Sequence, residues 1–143
     1  MFNFFNTQKP IVFVKAYGIA FVFFLFLDTL WLSFIARDFF AEQFGTLLSG
    51  MVAFFPAFLF YAVYPMAIVW LCVIPAGEEN IAPIGALTRG ALLGLAAYGA
   101  YGFTNAATIS GWPIAVTYVD TLWGMLITGA VAGLTVRVYR ILE

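Results

Sequence analysis

The chain has 143 residues, 64% of them apolar and only 9% charged, with a net charge of −1, whereas an ordinary soluble domain carries roughly a quarter charged residues. At a mean hydropathy of +1.02 there is too little polar surface to cover a water-soluble fold, so lipid is the natural solvent for most of the molecule. The scattered basic residues exclude a nucleic-acid footprint and a polybasic lipid tether. The absence of histidine and the single Cys72 remove the usual haem, copper, structural zinc and iron–sulfur ligands, internal disulfides, and Ser-His or Cys-His catalysis.

In chain order, Lys9 and Lys15 precede the first apolar block, about residues 16–36. The run is too long for a signal peptide and no small-x-small site follows it, so a retained first helix is expected, with Phe2, Phe4 and Phe5 at the interface. Further blocks cover about residues 51–74, 86–108 and 114–136. Each approaches the roughly 20 residues that cross about 30 Å of hydrocarbon. The expected fold is therefore all-α, a single transmembrane domain over residues 1–143 that forms a bundle of four transmembrane helices. Residues 37–50, 75–85 and 109–113 read as connections, the last tight enough to force an antiparallel hairpin.

Lys9, Lys15, Arg89, Arg137 and Arg140 fall on one side of an even-helix topology, against Arg37 on the other. The bias of Lys and Arg towards the cytoplasm then places both termini inside. Trp70, Trp112 and Tyr139 lie near helix ends, as interfacial anchors do. Gly90 with Gly94, and Gly129 with Gly133, recur four apart and let backbones approach closely, within the bundle or across a homodimer contact.

Two acids are embedded in apolar blocks, Asp28 and Asp120, and both open an Asp-Thr-Leu-Trp tetrapeptide. They lie about eight and about six residues from the outer ends of the first and fourth helices, hence roughly 9–12 Å deep at 1.5 Å per residue. Trp31 and Trp123 follow their aspartates at i+3, so each acid is expected to have its own indole on the same face. An aspartate in hydrocarbon costs about 2.5–3.5 kcal/mol and is tolerated where it faces the bundle or a cavity, so both should point inward. Were the two to meet, desolvation and repulsion would disfavour double ionisation, and a shared proton would mark an acid/base or proton-coupled site.

In the third block Gly94, Tyr98, Tyr101, Asn105 and Thr108 line one helical face. In the second, Tyr61 and Tyr64 precede Pro65, where a freed carbonyl would add an acceptor. A polar chamber opening to the outer side is expected from these residues. Arg37, Asp38 and Glu42 read as a solvated helix extension, Glu78 and Glu79 as a solvated loop, Arg89 as a snorkelling side chain and Cys72 as packing.

The run Tyr101-Gly102-Phe103-Thr104-Asn105-Ala106-Ala107-Thr108, then Gly111-Trp112-Pro113 and Val119-Asp120-Thr121-Leu122-Trp123-Gly124, resembles a bacterial family of small predicted membrane proteins, domain of unknown function 2177. Asp28 to Leu32, Phe60-Tyr61 with Tyr64-Pro65, and Pro75-Ala76 extend the likeness over nearly the whole chain. The resemblance implies a multi-pass protein of the bacterial inner (plasma) membrane and singles out Asp28, Asn105 and Asp120; it brings no established activity. It also implies an acidic residue at the place held here by Gly102, where this chain departs from the pattern.

The leading functional expectation is a protein that binds or carries a small molecule or ion, with Asp28 and Asp120 as proton acceptors and Asn105, Tyr61, Tyr98, Tyr101, Trp31 and Trp123 shaping the site. The alternative is a non-catalytic accessory subunit of a larger membrane complex. An intramembrane lipid enzyme ranks third, since no nucleophile, metal box or phosphate cradle accompanies the acids. No cofactor or catalytic residue is expected; the partners are membrane lipid and either a second copy or a larger membrane complex.

Overall fold

The computed structural model describes residues 9–48 and 50–142, with side chains from residue 10 onward. Phe2, Phe4 and Phe5 lie outside the described residues. Helix α1 (Lys9–Leu30) runs on through a π turn, Trp31–Ile35, and is followed by α2 (Arg37–Phe44) and a short 3-10 turn, Gly45–Leu47. Helix α3 (Phe54–Ile68) passes through a second π turn, Val69–Val73, into α4 (Ile74–Glu78). Two long helices complete the fold, α5 (Pro83–Thr108) and α6 (Ile114–Leu142). No strand occurs among the described residues.

Three helical stretches are long and apolar enough to cross a membrane: Pro10–Ile35, Phe54–Glu78 and Ile114–Leu142. The fourth rod, α5, spans 26 residues, but its glycines together with Thr88 and Arg89 lower its hydropathy. The helices outrun the apolar blocks because turns continue as long as backbone bonds can form. Part of the connection at 37–50 is accordingly the helix α2, whose Arg37, Asp38 and Glu42 are exposed, and Pro75 is helical, in α4 directly after the π turn. Between α5 and α6 the tight turn uses Gly111 at φ +76°, a left-handed conformation that only glycine adopts freely.

Glycines let α5 and α6 come into close contact. A Cβ added at Gly94 would lie 2.0 Å from the Gly124 carbonyl oxygen, and one at Gly90 2.5 Å from that of Thr128. On the facing helix, a Cβ at Gly129 would lie 2.9 Å from the Leu87 carbonyl oxygen. The small-residue spacing therefore serves the antiparallel α5–α6 hairpin, whose backbones nearly touch. Helix α6 is also the hub, since α1, α3 and the π turn Val69–Val73 all pack on it. Phe24, Ile68, Val69, Ile127 and Val131 fill the space between them.

Pro65 stands inside α3 and removes the donor for the Tyr61 carbonyl. The compensating contact falls one residue further on: the Tyr17 hydroxyl of α1 donates to the Ala62 carbonyl at 2.9 Å. At the end of the bundle carrying the chain termini, Arg89 pairs with Glu79 at 2.6 Å and Arg140 donates to the Ile81 carbonyl at 2.7 Å. Cys72 is buried in the core, as packing requires.

Candidate functional site

Asp28 sits on α1 and is only 6% exposed. Both of its oxygens accept hydrogen bonds from other helices: the Tyr61 hydroxyl donates to one at 2.5 Å and the Trp123 indole N–H to the other at 3.0 Å. The acid is thus built into the contact of α1 with α3 and α6. Its indole comes from the other Asp-Thr-Leu-Trp copy, contrary to the expectation that each aspartate keeps its own tryptophan. The π turn starts at Trp31 and shifts that residue off straight α-helical register. Trp31 instead stacks on Trp123, with ring centroids 4.4 Å apart and planes 8° from parallel. Its own indole N–H is buried without a hydrogen-bond partner among the described residues.

Asp120 is placed differently. It lies within electrostatic range of Asp28, so the two antiparallel helices do bring the acids into one neighbourhood. It is, however, one of the residues around a cavity of about 400 Å³ between α3, α5 and α6, whose almost wholly apolar lining is formed by Phe60, Tyr64, Ala97, Tyr98, Tyr101 and Asp120. No hydrogen bond to this carboxylate is found among the described residues. Tyr98 stands nearly perpendicular to both Phe60 and Tyr64, with centroids 6.5 and 5.8 Å away and interplanar angles of 76° and 74°. It also lies within range of both acids. Gly124 makes room for the Tyr98 ring, since a Cβ there would fall 2.1 Å from it.

The cavity is more aromatic and less polar than the expected chamber. Tyr101 lines it while being 53% exposed, and Asn105, one turn further along α5, stands outside the lining. Thr108 is exposed and bonds the Thr104 carbonyl within its own helix at 2.7 Å. The stripe from Gly94 to Thr108 turns away because a spacing averaging 3.5 residues drifts about 20° per seven residues on a straight α-helix. Gly102 packs on α6, where an added Cβ would meet the Thr117 Cγ2 at 3.0 Å, and its carbonyl accepts the Thr117 hydroxyl at 3.0 Å. A side chain at this position would press on the Thr117 backbone of α6, whose Cα would lie 3.2 Å from the added Cβ.

Sequence reasoning placed Tyr64 among the chamber residues but did not assign Phe60 or Ala97 to the site. Tyr64 and Thr128 share a hydroxyl–hydroxyl bond of 2.8 Å, joining α3 to α6 beside the cavity. The usable signal was the i, i+3 pair Tyr61 and Tyr64 one turn from Phe60 and beside Pro65. A second cavity, of about 470 Å³, lies at the termini end against Val12, Ala16, Val73 and Val136, with Glu78 and Arg140 at its edge. It is remote from both acids along the bundle. No group of three or more potential metal ligands occurs among the described residues.

Apolar helices long enough to cross a bilayer, packed around the buried Asp28 with no lysine or arginine paired to it among the described residues, define an all-helical membrane protein. The chain belongs to the family described as Predicted membrane protein (DUF2177), which matches residues 13–137. No curated protein and no solved structure matches the chain.

Proposed function

We propose that the protein crosses the bacterial inner membrane four times, with both termini in the cytoplasm, and binds or carries a small molecule or ion at the cavity beside Asp120. The observation that carries this reading is the contrast between the acids: Asp28 is fully engaged within the bundle, while Asp120 borders a cavity with no partner from the described residues. An ionisable group inside a membrane is costly to keep, and one left bordering a cavity suits a task there. The volume falls in the range of small-ligand sites, which are mostly apolar with few polar groups. The fourth crossing is supported by α5, which follows α6 along its length through glycine contacts. The orientation is supported by the Lys and Arg bias. Four helices are few for alternating access, so a carrier would work as a homodimer.

Native mass spectrometry of the protein released from gentle detergent tests this. A bound small molecule retained by the wild type and lost from Asp120→Asn is expected; a ligand-free chain would contradict it. A ligand-free chain carrying a stoichiometric second protein would support the other reading, a non-catalytic accessory subunit. That reading is favoured by the exposed ridge of Phe54, Phe55 and Phe58 on α3.

A further inference from the structure

The second cavity, of about 470 Å³, lies where three membrane-capable helices end. Val12 stands near the start of Pro10–Ile35, Glu78 closes Phe54–Glu78, and Arg140 stands near the end of Ile114–Leu142. Its place is therefore the boundary between hydrocarbon and water, at the end of the bundle that carries the chain termini. The lining divides accordingly. Ala16, Val73 and Val136 lie a turn or more deeper along their helices and form an apolar floor, while Glu78, Asn80 and Arg140 bring polar side chains nearer the helix ends. Unlike the cavity beside Asp120, this one presents nearly as much polar as apolar surface. A hydrocarbon chain alone would desolvate the polar groups without pairing them, and a wholly polar solute would leave the floor uncovered. An occupant with a charged head on an apolar stem matches both halves, and the surrounding bilayer consists of such molecules.

The charges select among headgroups. The Arg140 guanidinium is held in place by its bond to the Ile81 carbonyl at 2.7 Å, and its other N–H donors suit a phosphate, which a guanidinium grips in bidentate fashion. Glu78 brings the opposite charge to the same cavity. A carboxylate has about four acceptor positions, so Glu78 can take an ammonium alongside its other contacts. A headgroup with net negative charge would be repelled by Glu78, and a choline would offer it no N–H. We propose that this cavity binds a zwitterionic phospholipid with a primary amine, a phosphatidylethanolamine. Its phosphate lies on Arg140, its ammonium on Glu78 and the Asn80 side-chain carbonyl, and the apolar stem on Ala16, Val73 and Val136. The site joins α1, α4 and α6 and is separate from the solute cavity beside Asp120.

Native mass spectrometry of the full chain, stripped of lipid in detergent and offered dioleoyl phosphatidylethanolamine, phosphatidylcholine and phosphatidylglycerol in turn, tests the assignment. A one-lipid adduct with the ethanolamine lipid is expected to be retained at least about tenfold better than with the choline lipid, the factor that a hydrogen bond to a charged group supplies. Arg140→Gln should lower retention of both zwitterions, and Glu78→Gln should remove the preference between them. Gly77→Leu, which adds a side chain to the lining at a position with nothing within 4 Å of the new Cβ, should fill the cavity and abolish retention. Unchanged melting temperatures show that each variant is folded. Equal retention of the ethanolamine and choline lipids by the wild type, or stronger retention of the glycerol lipid, would overturn the proposal whatever the variants do. So would a preference for the ethanolamine lipid that survives in folded Glu78→Gln or folded Gly77→Leu.

Discussion

The indole N–H of Trp123 donates to the Asp28 carboxylate at 3.0 Å, so the tryptophan of the second Asp-Thr-Leu-Trp copy serves the aspartate of the first. The crossing joins α1 to α6 and leaves Asp120, the tryptophan's own neighbour, free to border the cavity between α3, α5 and α6.

Removing that donor should be costly. Trp123→Phe keeps a ring on Trp31 but strips one of the two hydrogen bonds from a buried carboxylate, and a loss of about 1–3 kcal/mol is expected. Trp31→Phe removes an N–H that has no partner among the described residues, so its loss should be clearly smaller. Thermal melting of the two variants in one detergent makes the comparison.

The α5–α6 hairpin should tolerate no side chain at its closest point. Gly94→Ala puts a methyl where the Gly124 carbonyl stands, and destabilisation of about 2 kcal/mol or more is expected as the helices separate. Gly18→Ala has nothing within 4 Å of the new methyl and should be neutral or stabilise by up to about 1 kcal/mol through helix propensity. Melting curves recorded side by side check the pair.

Tyr64 and Thr128 should behave as a coupled unit. Tyr64→Phe leaves the fully buried Thr128 hydroxyl without that bond, whereas Tyr64→Phe with Thr128→Val removes both halves together. The double variant is expected to be about 1 kcal/mol more stable than additivity allows. A double-mutant cycle on melting free energies gives the coupling.

The Arg89–Glu79 pair is short but largely exposed, at 36% and 53% of the side chains. Glu79→Gln should therefore cost less than about 1 kcal/mol, and the cost should shrink further in high salt. Reporter fusions in the turn after Glu79 should give a cytoplasmic signal; an outside signal there would reverse the proposed orientation.

Much of the fold was legible in the sequence because lipid imposes simple rules. Long apolar blocks marked the helices, the turn at Gly111 marked the hairpin, and the glycine spacing in α5 and α6 foretold their close approach. The cost of burying an acid foretold the inward placement of Asp28. The π turn at Trp31 was not legible, since a single wide turn leaves no pattern in residue types, and with it went the crossed Asp28–Trp123 bond. Asn105 and Thr108 were assigned to the chamber by a spacing that drifts around the helix. Phe60 and Ala97 were missed because an apolar residue lining a cavity looks, in sequence, like one facing lipid.

The central claim, that the space beside Asp120 is a solute site and not a slot for a lipid chain, is tested most directly by cysteine accessibility at position 97. In Ala97→Cys protein carrying Cys72→Ala, a small hydrophilic thiol reagent added to sealed, outside-out vesicles is expected to label residue 97. A residue 97 that resists the hydrophilic reagent yet reacts with a membrane-permeant maleimide would show a lipid-filled space and contradict the account.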